Sequence, residues 1–251
     1  MAVTRYVTPL REGGSLPALV EADDDGMYVL KFRAAGHGVL ALAAELIAGE
    51  IGRALGLPVP EIVFATVDRD LACTEPDPEI HALIYDSGGL NLALDFLPGS
   101  VNFDPLVHRV APEFASRVVW FDAFVSNVDR TPRNTNMLMW HRAPWLIDHG
   151  STLYFHHAPG WQADPARATD PFPAIKNHVL LRLASRIPEE DEQMAAILTA
   201  DVIDEVLSMV PDDWIVADPA QAAEARGAYR RYFLQRLAPP RAFVTEAAGA
   251  R

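Results

Sequence analysis

The chain has 251 residues, half of them hydrophobic, and 34 acidic against 21 basic side chains give it a formal charge of −13. That length and apolar content suit one large domain or two lobes, and the acidic excess disfavours any broad surface for nucleic acid or an anionic membrane. The single cysteine, Cys73, rules out an internal disulfide and a cysteine-built zinc site and points to a reducing, cytoplasmic compartment. The N-terminus lacks a signal-peptide core, and no apolar run approaches the ~20 residues of a membrane span.

Short strands are expected at Arg5–Thr8 and Ala18–Glu21, joined by Arg11-Glu12-Gly13-Gly14-Ser15-Leu16-Pro17. The Gly-Gly-Ser stretch fits an ordinary hairpin loop and equally a loop that lays backbone N–H groups over phosphates, since no GxGxxG is present to decide. Asp23–Gly26 is a tight turn that returns Met27–Phe32 as a strand, where Lys31 interrupts an apolar run and must reach solvent or meet an anion. Leu40, Ala44, Ile47, Ile51 and Leu55 then recur at helical spacing, and Gly56 ends a helix that carries Glu45 and Glu50. Glu61–Val67 reads as a strand, Arg69–Glu79 as a loop holding Cys73, His81–Tyr85 as a strand, and Leu90–Leu97 as a strand that breaks at Pro98-Gly99.

Glu113–Asn127 forms a helix with Phe114, Val118, Phe121 and Val125 on one face, and its lone acid, Asp122, is expected to partner a nearby loop. The helix runs into the polar loop Asp129-Arg130-Thr131-Pro132-Arg133-Asn134-Thr135-Asn136, followed by a short apolar strand. A second strand then carries Asp148 into His149-Gly150. Asp129, Asn134 and Asp148 are proton-accepting or metal-competent groups at loop and strand ends, which suits phosphoryl transfer. Asp129 would take or orient the acceptor hydroxyl, while Asn134 and Asp148 would hold Mg²⁺. Asn136 competes with Asn134 as ligand, and a polar turn closed by Asx bonds fits the same loop. Arg130 and Arg133 either face phosphate or Asp148, or lie on the surface.

On the Asp129-Arg130 opening, Asn134 five residues after Asp129, and the strand-borne Asp148, the chain resembles the small bacterial HipA-like kinase domains. The Asp-Arg opening itself is similar to the phosphatidylinositol kinase version. The resemblance implies an α+β, two-lobed protein-kinase-like fold, with a strand-rich N-lobe over residues 1–98, a helical C-lobe over residues 99–251, and ATP with Mg²⁺ in the cleft. It also implies a phosphate loop at Gly13, Gly14 and Ser15, Lys31 on the phosphates, Glu45 paired with Lys31, and adenine bracketed by Asp95, Phe96 and Leu97. Asp148-His149-Gly150, and the lack of His-Arg-Asp before Asp129, depart from ordinary protein kinases. The implied acceptor is a protein Ser or Thr. A small-molecule alcohol fits the chemistry as well, and a nucleotide-sensing module without turnover would keep the same fold.

Beyond the site, Ser151–Phe155 is expected to be a strand ending in His156-His157, whose rings would point to opposite faces. Ala158–Pro173 reads as a long loop in the place of an activation or substrate-binding segment. Helices are expected at Ala174–Ser185, Pro188–Ala200, Asp201–Val210 and Pro219–Leu237, with Ala238–Arg251 a weakly packed tail.

Overall fold

Strand-forming runs and turn residues alternate through the first third of the chain, and the computed structural model, which describes residues 1–10 and 16–251, folds them accordingly. The readings placed on Gly13, Gly14 and Ser15 fall outside the described residues. The elements up to the Pro98-Gly99 break are β1 (Val3–Pro9), β2 (Ala18–Ala22), β3 (Met27–Lys31), α1 (Val39–Ala54), β4 (Ile62–Val67), α2 (Pro78–Asp86) and β5 (Gly89–Asp95). The five strands form one antiparallel sheet in the order β1-β2-β3-β5-β4. A parallel bridge from Ala2 to Thr66, with the Thr66 N–H donating to the Met1 carbonyl at 3.0 Å, ties the two edge strands at one end.

After the break come β6 (Val101–Asn102), α3 (Pro112–Phe124), β7 (Met137–Trp140) and β8 (Ala143–Leu146). They are followed by α4 (Ile187–Ile197), α5 (Ala200–Ser208), α6 (Asp212–Ile215), α7 (Ala222–Leu237) and α8 (Ala242–Gly249). Strands β6, β7 and β8 make a small antiparallel sheet. The chain divides into two compact units, Met1–Leu42 with Pro60–Gly99, and Ala43–Val59 with Ser100–Arg251, so most of α1 belongs to the second. No helix among the described residues is long and apolar enough to cross a membrane.

Each unit has its own core. In the first, alternation along β2 sends Ala18 and Val20 inward to meet Leu30, Phe32, Ala65 and Val67, and α2 adds Ile80 and Ile84. In the second, Trp120, Phe121 and Phe124 of α3 are fully buried with Tyr229 and Phe233 of α7 and Phe243 of α8.

Several expectations are corrected. His81–Tyr85 is helical, because Asp77 caps the N-terminus through the Glu79 N–H at 3.0 Å, Pro78 suits the first turn, and Ile80 and Ile84 lie one turn apart on the buried side. The Arg69–Glu79 loop is partly ordered as a 3₁₀ helix at Arg69–Thr74. Ser151–Phe155 is not a strand: Leu153 takes φ +50°, and a 3₁₀ turn follows at Tyr154–His157. The two histidines therefore face each other, with their Nε2 atoms 3.2 Å apart, instead of diverging. Ala174–Ser185 breaks into 3₁₀ turns at Pro173–Asn177 and Leu181–Leu183 because its amides are captured elsewhere. The Val179 N–H donates to the Arg130 carbonyl and the Leu180 N–H to the His178 ring. The C-terminal tail is α8, with Phe243 and Ala247 buried.

Candidate active site

The site is built outward from Asp122, a carboxylate with no exposed surface on the buried side of α3. A charge so placed needs partners, and the chain after α3 supplies them. Helix α3 stops at Phe124, Ser126 adopts φ +55°, and the chain doubles back so that the Asn127 N–H donates to the Asp122 carbonyl at 2.8 Å. The Asn127 side chain donates to Asp122 Oδ1 at 2.8 Å while its own Oδ1 accepts the Asp129 N–H at 3.0 Å. Arg130 Nε reaches Asp122 Oδ2 at 2.6 Å, and His178 Nε2 reaches the same oxygen at 2.8 Å. The His178 Nδ1 accepts the Leu180 N–H at 3.0 Å, so the ring proton sits on Nε2 and donates to Asp122. Burial alone pushes the Asp122 carboxyl up; the Arg130 charge and the His178 hydrogen bond outweigh it and hold the group well below the usual carboxylate range.

Arg130 is thus neither a phosphate ligand nor a surface charge, nor a partner of Asp148. It is 1% exposed and spans from Asp122 to the Asn136 carbonyl, where its Nη1 donates. The same carbonyl accepts the Ile147 N–H at 3.0 Å, which fixes the strand end carrying Asp148 beside the Asp129 loop. Arg133 stays exposed.

On this buried base the loop presents its polar groups. Asn134 Nδ2 and Asn136 Nδ2 both donate to Asp129 Oδ2, at 2.8 and 3.1 Å. The loop is closed by the Thr131 N–H donating to the Asn134 carbonyl at 2.8 Å. Both Asn side chains therefore direct their Nδ2 groups at the carboxylate, which leaves their Oδ1 atoms as oxygen donors. Asp148 follows β8 in the left-handed region at φ +58°, a conformation Asp tolerates better than branched residues do. Behind it, Glu45 of α1 is 1% exposed and accepts the His149 N–H at 3.0 Å through Oε1, so Glu45 holds the backbone of the Asp148-His149 turn. His149 is itself fully buried, its Nδ1 3.4 Å from the same Glu45 oxygen and its ring edge-on to Phe121.

The donors fit a hard cation. Asn134, Asn136 and Asp148 offer oxygens only, which is the chemistry of Mg²⁺. No group of three or more His, Cys, Asp or Glu suited to a metal occurs among the described residues.

In the first unit, Lys31 is the last residue of β3, buried to 9% exposure and paired in register with Leu92 of β5. At the end of β5, the Asp95 N–H donates to the Glu61 carbonyl at 2.9 Å and the Phe96 N–H to the Met27 carbonyl at 3.1 Å. Burial, with the Glu61 charge second, raises the Asp95 carboxyl.

Sequence reasoning missed Asn127 and His178. Asn127 had a signal, since it stands five residues after a helical acid at the mouth of the loop; His178 lies 56 residues away in sequence and gave none.

A family model described as HipA-like kinase matches residues 3–238. Among solved structures, the chain is similar to the Helicobacter pylori proinflammatory kinase CtkA, with a TM-score of 0.55 and 13% identity over 98% of this chain and 95% of that one. It is also similar to the Golgi casein kinase with Mn/ADP bound, with a TM-score of 0.54 and 12% identity over 96% of this chain and 74% of that one. A further structure of the Golgi casein kinase gives a TM-score of 0.53 at 13% identity. At such identities these likenesses establish the fold, and the kinase-like α+β fold expected from the sequence is the one observed. No curated protein matches the chain.

Proposed function

Because this chain belongs to the HipA-like kinase family, and so to the phosphotransferases, we propose that it moves the γ-phosphoryl group of ATP, with Mg²⁺, to a Ser or Thr hydroxyl of a protein acceptor. The observation that carries this reading is the capture of one oxygen of Asp129 by two amides. With Asn134 and Asn136 on Oδ2, the carboxylate is held in one orientation and Oδ1 is the oxygen left for an acceptor hydroxyl. In this reading Oδ1 takes the hydroxyl proton as the acceptor oxygen attacks the γ-phosphorus. The bond from that phosphorus to the bridging oxygen breaks, and ADP leaves.

Asn134 and Asp148 hold Mg²⁺, with Asn136 the alternative amide ligand. Bound there, the ion would neutralise charge on the phosphates. In this reading Lys31, at the end of β3, bears on the phosphates. Asp95, Phe96 and Leu97 bracket adenine. Since the Asp95 and Phe96 amides are already committed to Glu61 and Met27, the Leu97 N–H is the donor assigned to the base. Glu45 supports the reading by fixing the turn that carries Asp148.

Calorimetric titration of ATP, in Mg²⁺ and in EDTA, tests the assignment. Wild type should bind with a clear metal dependence, and Asp148→Ala should weaken Mg²⁺-dependent binding at least about tenfold, the scale of losses at metal sites. Binding indifferent to both metal and substitution would overturn the metal assignment.

A further inference from the structure

Away from the Asp129 loop, the second unit contains a cavity of about 360 Å³ between the 161–168 segment and α7. Trp161, Asp164 and Arg167 line it from the segment; Arg231, Tyr232 and Gln235 line it from one face of α7, at helical spacing. The lining is rich in donors: two guanidinium groups and two amides, those of Gln162 and Gln235, against one carboxylate, in a chain whose net charge is −13.

Both arginines are held loosely. Arg167 Nε lies 3.3 Å from Asp164 Oδ2 without a hydrogen bond, in a pair whose two side chains are both half-exposed and screened by water. Arg231 Nη2 meets Glu224 Oε1 at 2.8 Å with both side chains more than half exposed. An incoming carboxylate or phosphate would meet the exposed edges of the two guanidinium groups and replace weak surface pairs with charge-assisted hydrogen bonds.

The cavity is also joined to the catalytic loop. Tyr232, part of its wall, places its hydroxyl 3.1 Å from Ser126 Oγ, three residues before Asp129. One helical turn on, buried Arg236 donates to the Ala168 and Asp170 carbonyls of the segment and to the Ala123 and Phe124 carbonyls that end α3. The segment lining the cavity and the helix that aims Asp129 are therefore clamped by one side chain.

We propose that this cavity is a docking subsite for an acidic side chain, a carboxylate or a phosphorylated residue, of the protein acceptor. The identification of the occupant as an acceptor rests on the kinase reading above; the acidic selectivity rests on Arg167 and Arg231.

Fluorescence anisotropy with three labelled Ser-containing peptides, rich in Glu, in Gln or in Lys, tests it without ATP. Wild type should bind the Glu-rich peptide in preference to the other two. Arg167→Glu with Arg231→Glu should weaken that binding at least about a hundredfold, about tenfold for each charge-assisted contact removed. Arg230→Glu, an equal charge change on the same helix outside the lining, should leave it within about twofold. Because both reversed arginines are exposed, the variants are expected to fold as wild type, and Arg167→Gln with Arg231→Gln repeats the test without added negative charge. No preference for the Glu-rich peptide, or a loss equally large in Arg230→Glu, overturns the proposal. Competition by inorganic phosphate at the peptide's own concentration overturns the peptide assignment in favour of a free anion. Failure of the kinase reading shows separately: selective acidic binding without ATP turnover leaves the subsite standing and removes the phosphotransfer.

Discussion

Asp122 decides the local structure of the site, although it touches no substrate in the proposed chemistry. Its carboxylate joins α3, the Asp129 loop through Asn127 and Arg130, and the His178 segment within one buried cluster. Asp122→Asn leaves Arg130 as a buried cation without its counter-charge, and should cost about 3–5 kcal/mol. The acid dependence has a definite sign. In the unfolded chain the carboxyl protonates near pH ~3.9, whereas in the folded chain it is held well below the usual carboxylate range. The unfolded chain therefore takes up the proton first, so the stabilisation is complete above about pH 4 and is lost progressively below it. Urea melts from about pH 6 down to about pH 2.5 should show wild type losing stability with acid more steeply than Asp122→Asn; parallel losses would contradict the assignment. At this scale the sequence was readable where chemistry forces a partner. A lone acid in an apolar helix had to be satisfied, and it is. The identity of the partner is not readable: in sequence Arg130 suits phosphate, Asp148 or solvent equally, and local spacing does not reveal that it turns inward. The two-amide capture of Asp129 also needed coordinates, since it depends on Asn136 taking φ +45°.

The elements that hold the site share one clamp. Arg236 donates to the last two carbonyls of α3, those of Ala123 and Phe124, while binding the 168–170 stretch. Phe243 of α8 stacks over that guanidinium at 4.7 Å and packs against Trp120 and Phe124. Phe243→Ala should therefore cost about 3–5 kcal/mol, measured by urea unfolding. A cost below about 1 kcal/mol would restore the view of a weakly packed tail. The helical period of α1, α3, α5 and α7 is visible in the sequence, and at the start of α5 the Thr199 hydroxyl accepts the Val202 N–H at 3.3 Å. Two kinds of segment were misread. Short apolar runs such as His81–Tyr85 satisfy strand and helix patterns alike, and here Asp77 and Pro78 decided for helix. Residues 174–185 have helical spacing, but His178 and Arg130 take the amides a helix would need.

Across the whole molecule, the order of the elements was more legible than any single motif. A β-strand bearing Lys31, a Pro-Gly break after Leu97, the Asp129 loop and, just past β8, Asp148 follow one another along the chain, and a HipA-like kinase family model matches residues 3–238. Each unit encloses its own core, built from alternation in the first and from aromatic helix faces in the second. What sequence leaves open is the acceptor, because the chemistry proposed for Asp129 would serve any hydroxyl. The most direct test of the central claim is label transfer to Ser/Thr peptides from ATP labelled at the γ- or at the α-phosphorus, with wild type and Asp129→Asn. The account predicts transfer from γ-labelled ATP only, reduced about 10²–10⁴-fold in the variant. Transfer from α-labelled ATP, or γ-transfer that Asp129→Asn leaves unchanged, would contradict it.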